Sequence, residues 1–289
     1  MKNLNILGFI FGSLTVSALI TSCQTTNKEV TNPNLAKPLA TEQYQAQIKS
    51  DKKKQAELDL PFRGFENDKV IKTIAFGSPE TNCWQAIQKN NPELMILTSV
   101  PLKNLAKLPE YRSIREKVPF MCTPSETKSD FIKNWPYAKN VIPENQDGIY
   151  HSKIFGTKKN LIQVIMVDQF DSELKWNWLE SEFKKPTALK ILTSPTRDRD
   201  KLIALIKKSK TKNIILLSND RPVTAFEKTE IKDLGPIYES TSADRSIASS
   251  VETTPVIFGV IRIDWSDREA QLEMRNVEDK KLQVVELKF

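Results

Sequence analysis

From Val70 to the C-terminus, short apolar runs alternate with stretches of helical spacing. That alternation confines the chain to an α/β architecture. The first run, Val70–Phe76, stops at Gly77-Ser78-Pro79, a strand-ending sequence. Cys83–Asn90 reads as a helix with Trp84 and Ile87 on one side, and Leu94–Leu97 and Pro119–Cys122 read as the next two strands. Tyr150–Phe155 and Leu161–Val167 flank Gly156-Thr157-Lys158-Lys159 and predict a hairpin. Ser172–Phe183 is amphipathic, with Leu174, Trp178 and Leu179 at helical spacing. Leu189–Leu192 predicts a strand, Asp200–Ser209 a helix carrying Leu202, Ile203, Leu205 and Ile206, and Asn213–Leu217 a buried strand. Val256–Ile263, Ala270–Arg275 and Leu282–Leu287 alternate with period two and predict a closing antiparallel meander. Strand–helix alternation followed by a meander predicts a layered α/β sandwich.

The N-terminus reads as an address. Lys2 gives a positive start, and Ile6 to Ile20 is mostly apolar and uncharged. That run is short of the roughly 20 residues a membrane span needs and suits the core of a secretion signal. It ends in Leu19-Ile20-Thr21-Ser22-Cys23, which resembles the lipobox of bacterial lipoproteins. The resemblance implies a signal peptide over 1–22 and lipidation of Cys23, so that the membrane is a partner. Gln24 in the next position implies the outer membrane of the cell envelope, facing the periplasm. Residues 23–68 read as a polar tether. Within it, 24–40 are polar with two Pro, and 41–60 have the composition of a short polar helix. The folded domain is expected over 69–289.

The chain of 289 residues carries a formal charge of +7. Lys52-Lys53-Lys54 is its only run of three basic residues and acids are scattered elsewhere, so nucleic acid is not an expected partner. Solvation, or contact with lipid head groups, suits those lysines better. The chain has 8 Gly, against about 20 at the usual frequency, and one His. Gly-rich phosphate loops and multi-histidine metal sites need residues that are scarce here.

In an α/β sheet the residues after each strand form the site. Their order here resembles the alkaline phosphatase D (PhoD-like) metallophosphatases, from about Ile71 to Phe289. The resemblance rests on Ile74-Ala75-Phe76-Gly77-Ser78, Asn91-Pro92-Glu93-Leu94, and Gly148-Ile149-Tyr150-His151-Ser152-Lys153-Ile154-Phe155-Gly156. It continues through Val164-Ile165-Met166-Val167-Asp168, Trp176-Asn177-Trp178-Leu179-Glu180, Leu217-Ser218-Asn219-Asp220-Arg221 and Phe258-Gly259-Val260-Ile261-Arg262-Ile263-Asp264-Trp265. It implies a layered α/β/β/α sandwich of the metallophosphatase (calcineurin-like) type with a C-terminal antiparallel meander. The chemistry it implies is phosphoester hydrolysis by two clamped cations.

The ligand positions of that family are altered. The family's Cys after the first strand is Pro79, and its Asp after the second is Val100. Its Trp-Asp-Asp-His-Asp falls on Pro124, Ser125, Glu126, Thr127 and Lys128, and its Ser-Gly-Asp-Arg-His becomes Ser218-Asn219-Asp220-Arg221-Pro222. A lysine ammonium repels the cation it would replace. His151 lies on a predicted strand in a stretch that is not a metal motif of the family, and reads as a partly buried or surface imidazole. The departures imply a non-catalytic (pseudoenzyme) envelope lipoprotein with a binding or scaffolding role towards an envelope protein, and no cofactor. One alternative is a weak or altered metal-dependent phosphodiesterase or alkaline phosphatase using Asp168, Asp220 and Glu126 around Ca²⁺ or Mg²⁺. A further alternative is a binder of anionic phosphorylated ligands through Arg221.

Asp168 and Asp220 each follow an apolar strand and are candidates, with Arg221 and Glu126, for a residual polar pocket. An Asp220–Arg221 pair or helix cap is the structural reading of the same residues. Cys83 and Cys122 are the thiols that remain beside Cys23. An exported compartment permits a disulfide between them, and two buried thiols fit the sequence as well. Trp176 and Trp178 read as packing residues, Trp178 more so than Trp176.

Overall fold

A computed structural model describes residues 69–77, 83–98, 113–114, 117–123, 127–135, 138–143, 145–218, 225–241 and 257–289. The expected signal peptide, Cys23, the expected tether, Glu126, Asp220 and Arg221 lie outside the described residues. Twelve strands are described. The first sheet comprises β1 (Thr73–Gly77), β2 (Leu94–Thr98), β3 (Phe120–Thr123), β10 (Ile257–Asp264), β11 (Glu269–Asn276) and β12 (Lys281–Lys288). Its order is β12-β11-β10-β1-β2-β3. The second comprises β4 (Tyr150–Thr157), β5 (Asn160–Val167), β6 (Leu189–Ser194), β7 (Ile214–Ser218), β8 (Ala225–Ile231) and β9 (Gly235–Thr241), in the order β4-β5-β6-β7-β9-β8.

Both sheets are mixed. β1, β2 and β3 run parallel, as do β5, β6, β7 and β9; antiparallel β12, β4 and β8 form three of the sheet edges and parallel β3 the fourth. The parallel strands are apolar on successive residues because each faces two hydrophobic layers. Ile74, Phe76 and Ile96 meet Ile162, Val164 and Ile191 between the sheets. Ala75, Met95 and Leu97 turn the other way, onto Trp84 and Ile87 of α1 (Trp84–Lys89) and Phe131 of α2 (Lys128–Asn134). A short α3 (Ala138–Val141) follows on that side. Ile165, Leu192 and Leu216 pack against Leu179 of α4 (Glu173–Phe183) and Leu202 and Ile206 of α5 (Arg199–Ser209). The result is the layered α/β/β/α sandwich with a C-terminal antiparallel meander that the sequence implied.

Two elements differ from expectation. The β8–β9 hairpin has no signal in the sequence, because Ala225–Ile231 shows water Glu227, Lys228 and Glu230 and buries only Phe226 and Ile231. In α4 the buried face is Lys175, Trp176, Leu179, Glu182 and Phe183, whereas Leu174 is 72% exposed. Trp176 is therefore the more buried of the two tryptophans, stacked on Phe170 at 4.1 Å. The expected periodicity failed here because two of the inward positions are charged. Gly259 pairs with Phe76 across β1 and β10, and any Cβ there would collide with the Phe76 ring. At the far edge Gln283 bridges the sheets, donating to the Phe226 carbonyl at 3.0 Å and accepting from its N–H at 2.7 Å.

Candidate functional site

The parallel strands of both sheets bring their carboxyl ends to one edge of the sandwich. Thr98 ends β2, Thr123 ends β3, Ser194 ends β6 and Ser218 ends β7, all buried. The last residues of these four strands thus carry neutral hydroxyls, while Val100, Pro124 to Glu126 and Asp220, on which the resemblance places ligand positions, lie outside the described residues. Among the described residues Asp168 brings a carboxylate to this row, just after β5 as the sequence predicts.

Asp168 is turned into the protein. Its Oδ2 accepts the Ile149 N–H at 2.9 Å, and its Oδ1 accepts the Gln169 N–H at 2.7 Å and the Lys175 ammonium at 2.9 Å. Lys175, on the first turn of α4, has a side chain only 1% exposed and also pairs with Asp171 at 2.9 Å. Burial alone would lower the Lys175 pKa; the hydrogen bonds and charges of Asp168 and Asp171 outweigh it and hold it above its usual value. The ammonium lies over the Tyr150 ring, 5.7 Å from its centroid. Gly148, at φ +81°, leaves the space for it, since a Cβ there would collide with Nζ. The glycine of the Gly148-Ile149-Tyr150 stretch therefore serves a lysine. A cation already sits between these two carboxylates, and it is a side chain of the protein itself.

Several other described groups near this edge are also engaged, although the Thr123 hydroxyl and His151 Nδ1 are buried with no hydrogen-bond partner. Lys128 donates to the backbone carbonyls of Pro143 and Gln146. Glu239 on β9 is held by a two-pronged Arg199 at 2.5 and 2.7 Å. His151 is buried, and its Nε2 lies 3.2 Å from the Cys122 carbonyl oxygen, with the ring 5.4 Å from Trp135. Burial pushes its pKa down to about 4, and the hydrogen bond to Cys122 offsets only part of that. Nothing in the sequence places His151 beside Cys122, yet the fold does so. The contact is to the backbone oxygen, while the Cys122 side chain packs in the helix-side layer with Cys83. Both are buried thiols and no disulfide joins them.

Among the described residues no group of three or more His, Cys, Asp or Glu is placed to hold a metal ion. Two-metal chemistry does not fit the donors that are described, and no catalytic step follows from them. A cavity of about 290 Å³ lies elsewhere, lined by Gln88, Asn91, Pro92, Ile114, Lys117 and Val118. Those residues precede β2 and β3, so it opens at the amino ends of the strands. Sequence reasoning singled out Lys128 but missed Lys175 and Arg199, because a lysine or arginine on a helix reads as a solvated residue until its carboxylate partner is located.

No family model and no curated protein sequence matches the chain. Among solved structures it is similar to a novel phosphatase from Mycoplasma pneumoniae, at 12% identity and TM-score 0.39, over 75% of this chain and 92% of that one. It is similar to a hypothetical protein from Thermus thermophilus at 10% identity and TM-score 0.41, over 74% and 98%. The third is Vps29 of Chaetomium thermophilum, at 10% identity and TM-score 0.33, over 75% and 93%. Likenesses this low assign no activity. Among the described residues no helix is long and apolar enough to cross a membrane.

Proposed function

We propose that this chain is a non-catalytic, PhoD-like protein of the bacterial envelope, anchored through a lipidated Cys23 and kept for binding or scaffolding. The observation that carries the reading is the Lys175 ammonium held between Asp168 and Asp171. A divalent ion at these carboxylates would have to displace a buried, doubly paired lysine. The alternative hydrolase needs Asp168 as a ligand, and Asp168 is already committed to Lys175, Ile149 and Gln169.

The test is metal content by ICP-MS on chain purified without chelator, together with a phosphodiesterase assay with and without EDTA. The expected result is far less than one ion per chain and no EDTA-sensitive hydrolysis. One or two tightly held transition-metal ions per chain would overturn the proposal. For the anchor, Cys23→Ser is expected to move the protein out of the membrane fraction, and unchanged fractionation would count against lipidation.

A further inference from the structure

The end of the sandwich opposite the strand carboxyl ends has its own chemistry. The amino ends of β5, β6 and β7 are served by three loops that lie side by side. Ala188 donates to the Leu161 carbonyl at 2.9 Å, and Asn213 donates its side-chain N–H to the Ala188 carbonyl at 3.0 Å. Those loops present exposed Lys158, Lys159, Lys184, Lys185, Lys210 and Lys212. Two acids of this end are paired internally, Glu180 with Lys184 and Lys208 and Glu182 with Lys185, while Asp233, Asp264 and Asp267 in the neighbouring β8–β9 and β10–β11 turns are exposed beside the lysines.

Helix dipoles account for part of the charge. Lys207 and Lys208 lie in the last turn of α5, where cations are favoured. Dipoles do not explain Lys158 and Lys159, which form the turn of the β4–β5 hairpin, or Lys212, which lies beyond the helix. The first described residues, Lys69 to Lys72, lie at the same end. Lys72 accepts the Ile263 N–H at 2.8 Å through its carbonyl, and Trp265 donates to the Ile71 carbonyl at 2.8 Å. Three residues on, Arg268 donates to the Lys159 carbonyl at 3.0 Å. A path of contacts therefore joins the first described residues to the lysine-bearing loops.

We infer that this basic end is a docking surface for an anionic lipid bilayer. Charge is complementary, since each lysine near a negatively charged leaflet contributes to binding and phosphate head groups accept its hydrogen bonds. The entry of the N-terminal segment at this end favours a membrane over a soluble polyanion. A chain held from residue 69 presents this end first to whatever holds it. The sandwich would then sit with its strand carboxyl ends facing away from the bilayer. This orientation deepens the envelope reading, yet the surface can be tested with no lipid anchor at all.

The experiment uses the chain from Gln24 onward, which keeps the tether and the whole sandwich. It is co-sedimented with phosphatidylcholine vesicles containing one quarter phosphatidylglycerol, and with pure phosphatidylcholine vesicles. Binding is expected only to the anionic vesicles and is expected to be abolished by high salt. Lys210→Glu with Lys212→Glu is expected to weaken it by more than about tenfold. The matched control, Arg197→Glu with Lys201→Glu at the opposite end, is expected to leave it within about twofold. Equal binding to both vesicles overturns the proposal, as does equal loss from both double variants. So does a loss confined to replacement of Lys52-Lys53-Lys54, which would assign the binding to the tether. Circular dichroism of each variant checks that the fold is intact. Because Cys23 is absent throughout, failure here would leave the lipidation test untouched.

Discussion

Two buried lysines stand at opposite ends of the second sheet, and their surroundings treat them in opposite ways. Lys175, near the strand carboxyl ends, lies between two carboxylates and is held above its usual pKa. Lys190, near the start of β6, donates at 2.7 Å to the Gln163 side-chain carbonyl, the Lys185 backbone carbonyl and the Thr187 hydroxyl, all neutral. Burial lowers its pKa to about 8, with the charge of Glu182 offsetting part and that of Lys185 adding to the fall. The first lysine is a permanent cation that fixes carboxylates in place; the second is a charge the fold tolerates. At the carboxyl ends the protein has substituted an internal ion for an external one. At the amino ends it keeps surplus positive charge, most of it in water and some of it buried.

The largest expected effect comes from removing the cation of the first pair. Lys175→Met leaves Asp168 mostly buried with its ammonium partner gone. Loss of one member of a buried pair costs roughly 3–5 kcal/mol, and the half-exposed Asp171 places this case near about 3 kcal/mol. Chemical denaturation should show that loss, and Lys175→Met with Asp168→Asn should recover part of it. A variant as stable as the parent would mean that the Lys175 pair contributes nothing.

His151 gives the next effect, and it depends on pH. In the unfolded chain an imidazole binds its proton below about 6.5, whereas in the fold it does so only below about 4. Between those values the unfolded state holds more protons, so stability falls as the pH drops through that window. The full loss is about 3 kcal/mol, reached near pH 4. Denaturation midpoints for His151→Phe should lack this part of the slope. An unchanged slope would place the proton uptake elsewhere, on the carboxylates.

Most of the fold was legible because its strands are buried on both faces and read as continuous apolar runs. The closing meander showed its period of two almost to the residue, its last two strands predicted over Ala270–Arg275 and Leu282–Leu287 and observed over Glu269–Asn276 and Lys281–Lys288, while Val256 lies outside the described residues. The β8–β9 hairpin was not legible, because an edge hairpin with Glu227, Lys228 and Glu230 in water resembles a loop. The buried side of α4 was misread for a related reason: Lys175 and Glu182 face inward, and hydrophobicity cannot announce a buried charge. At the site, sequence located Asp168 at a strand end but not its orientation. Its partner is seven residues on and one helical turn away, and only the fold shows that Gly148 opens the space between them.

Gly148→Ala probes that space directly. Alanine at φ +81° is strained, and its Cβ would push the ammonium away from Asp168. The expected cost is about 2 kcal/mol, smaller than for Lys175→Met because the lysine can shift and keep Asp171. Combining Gly148→Ala with Lys175→Met should cost less than the two single changes added together, since the collision disappears with the lysine. Full additivity would show that Gly148 serves only its own backbone.

The smallest effect is the one that separates the two lysines most cleanly. A lysine in the unfolded chain keeps its proton up to about 10.5, while Lys190 in the fold releases it near 8. Between those values the unfolded state carries more protons, so stability is expected to rise with pH across this window. Solvent at the Lys185 end screens part of the shift and leaves a rise of about 1–2 kcal/mol. For Lys175 the sign is reversed: its contribution is complete below its unfolded pKa and is lost only as the pH climbs through the raised folded value. Lys190→Met should therefore flatten the rise between pH 8 and 10.5, while Lys175→Met, though far less stable, should keep it. If both variants lose the rise, the two ends of the sheet are electrically coupled and their opposite shifts have a common origin. If neither does, the proton released near pH 8 does not come from Lys190.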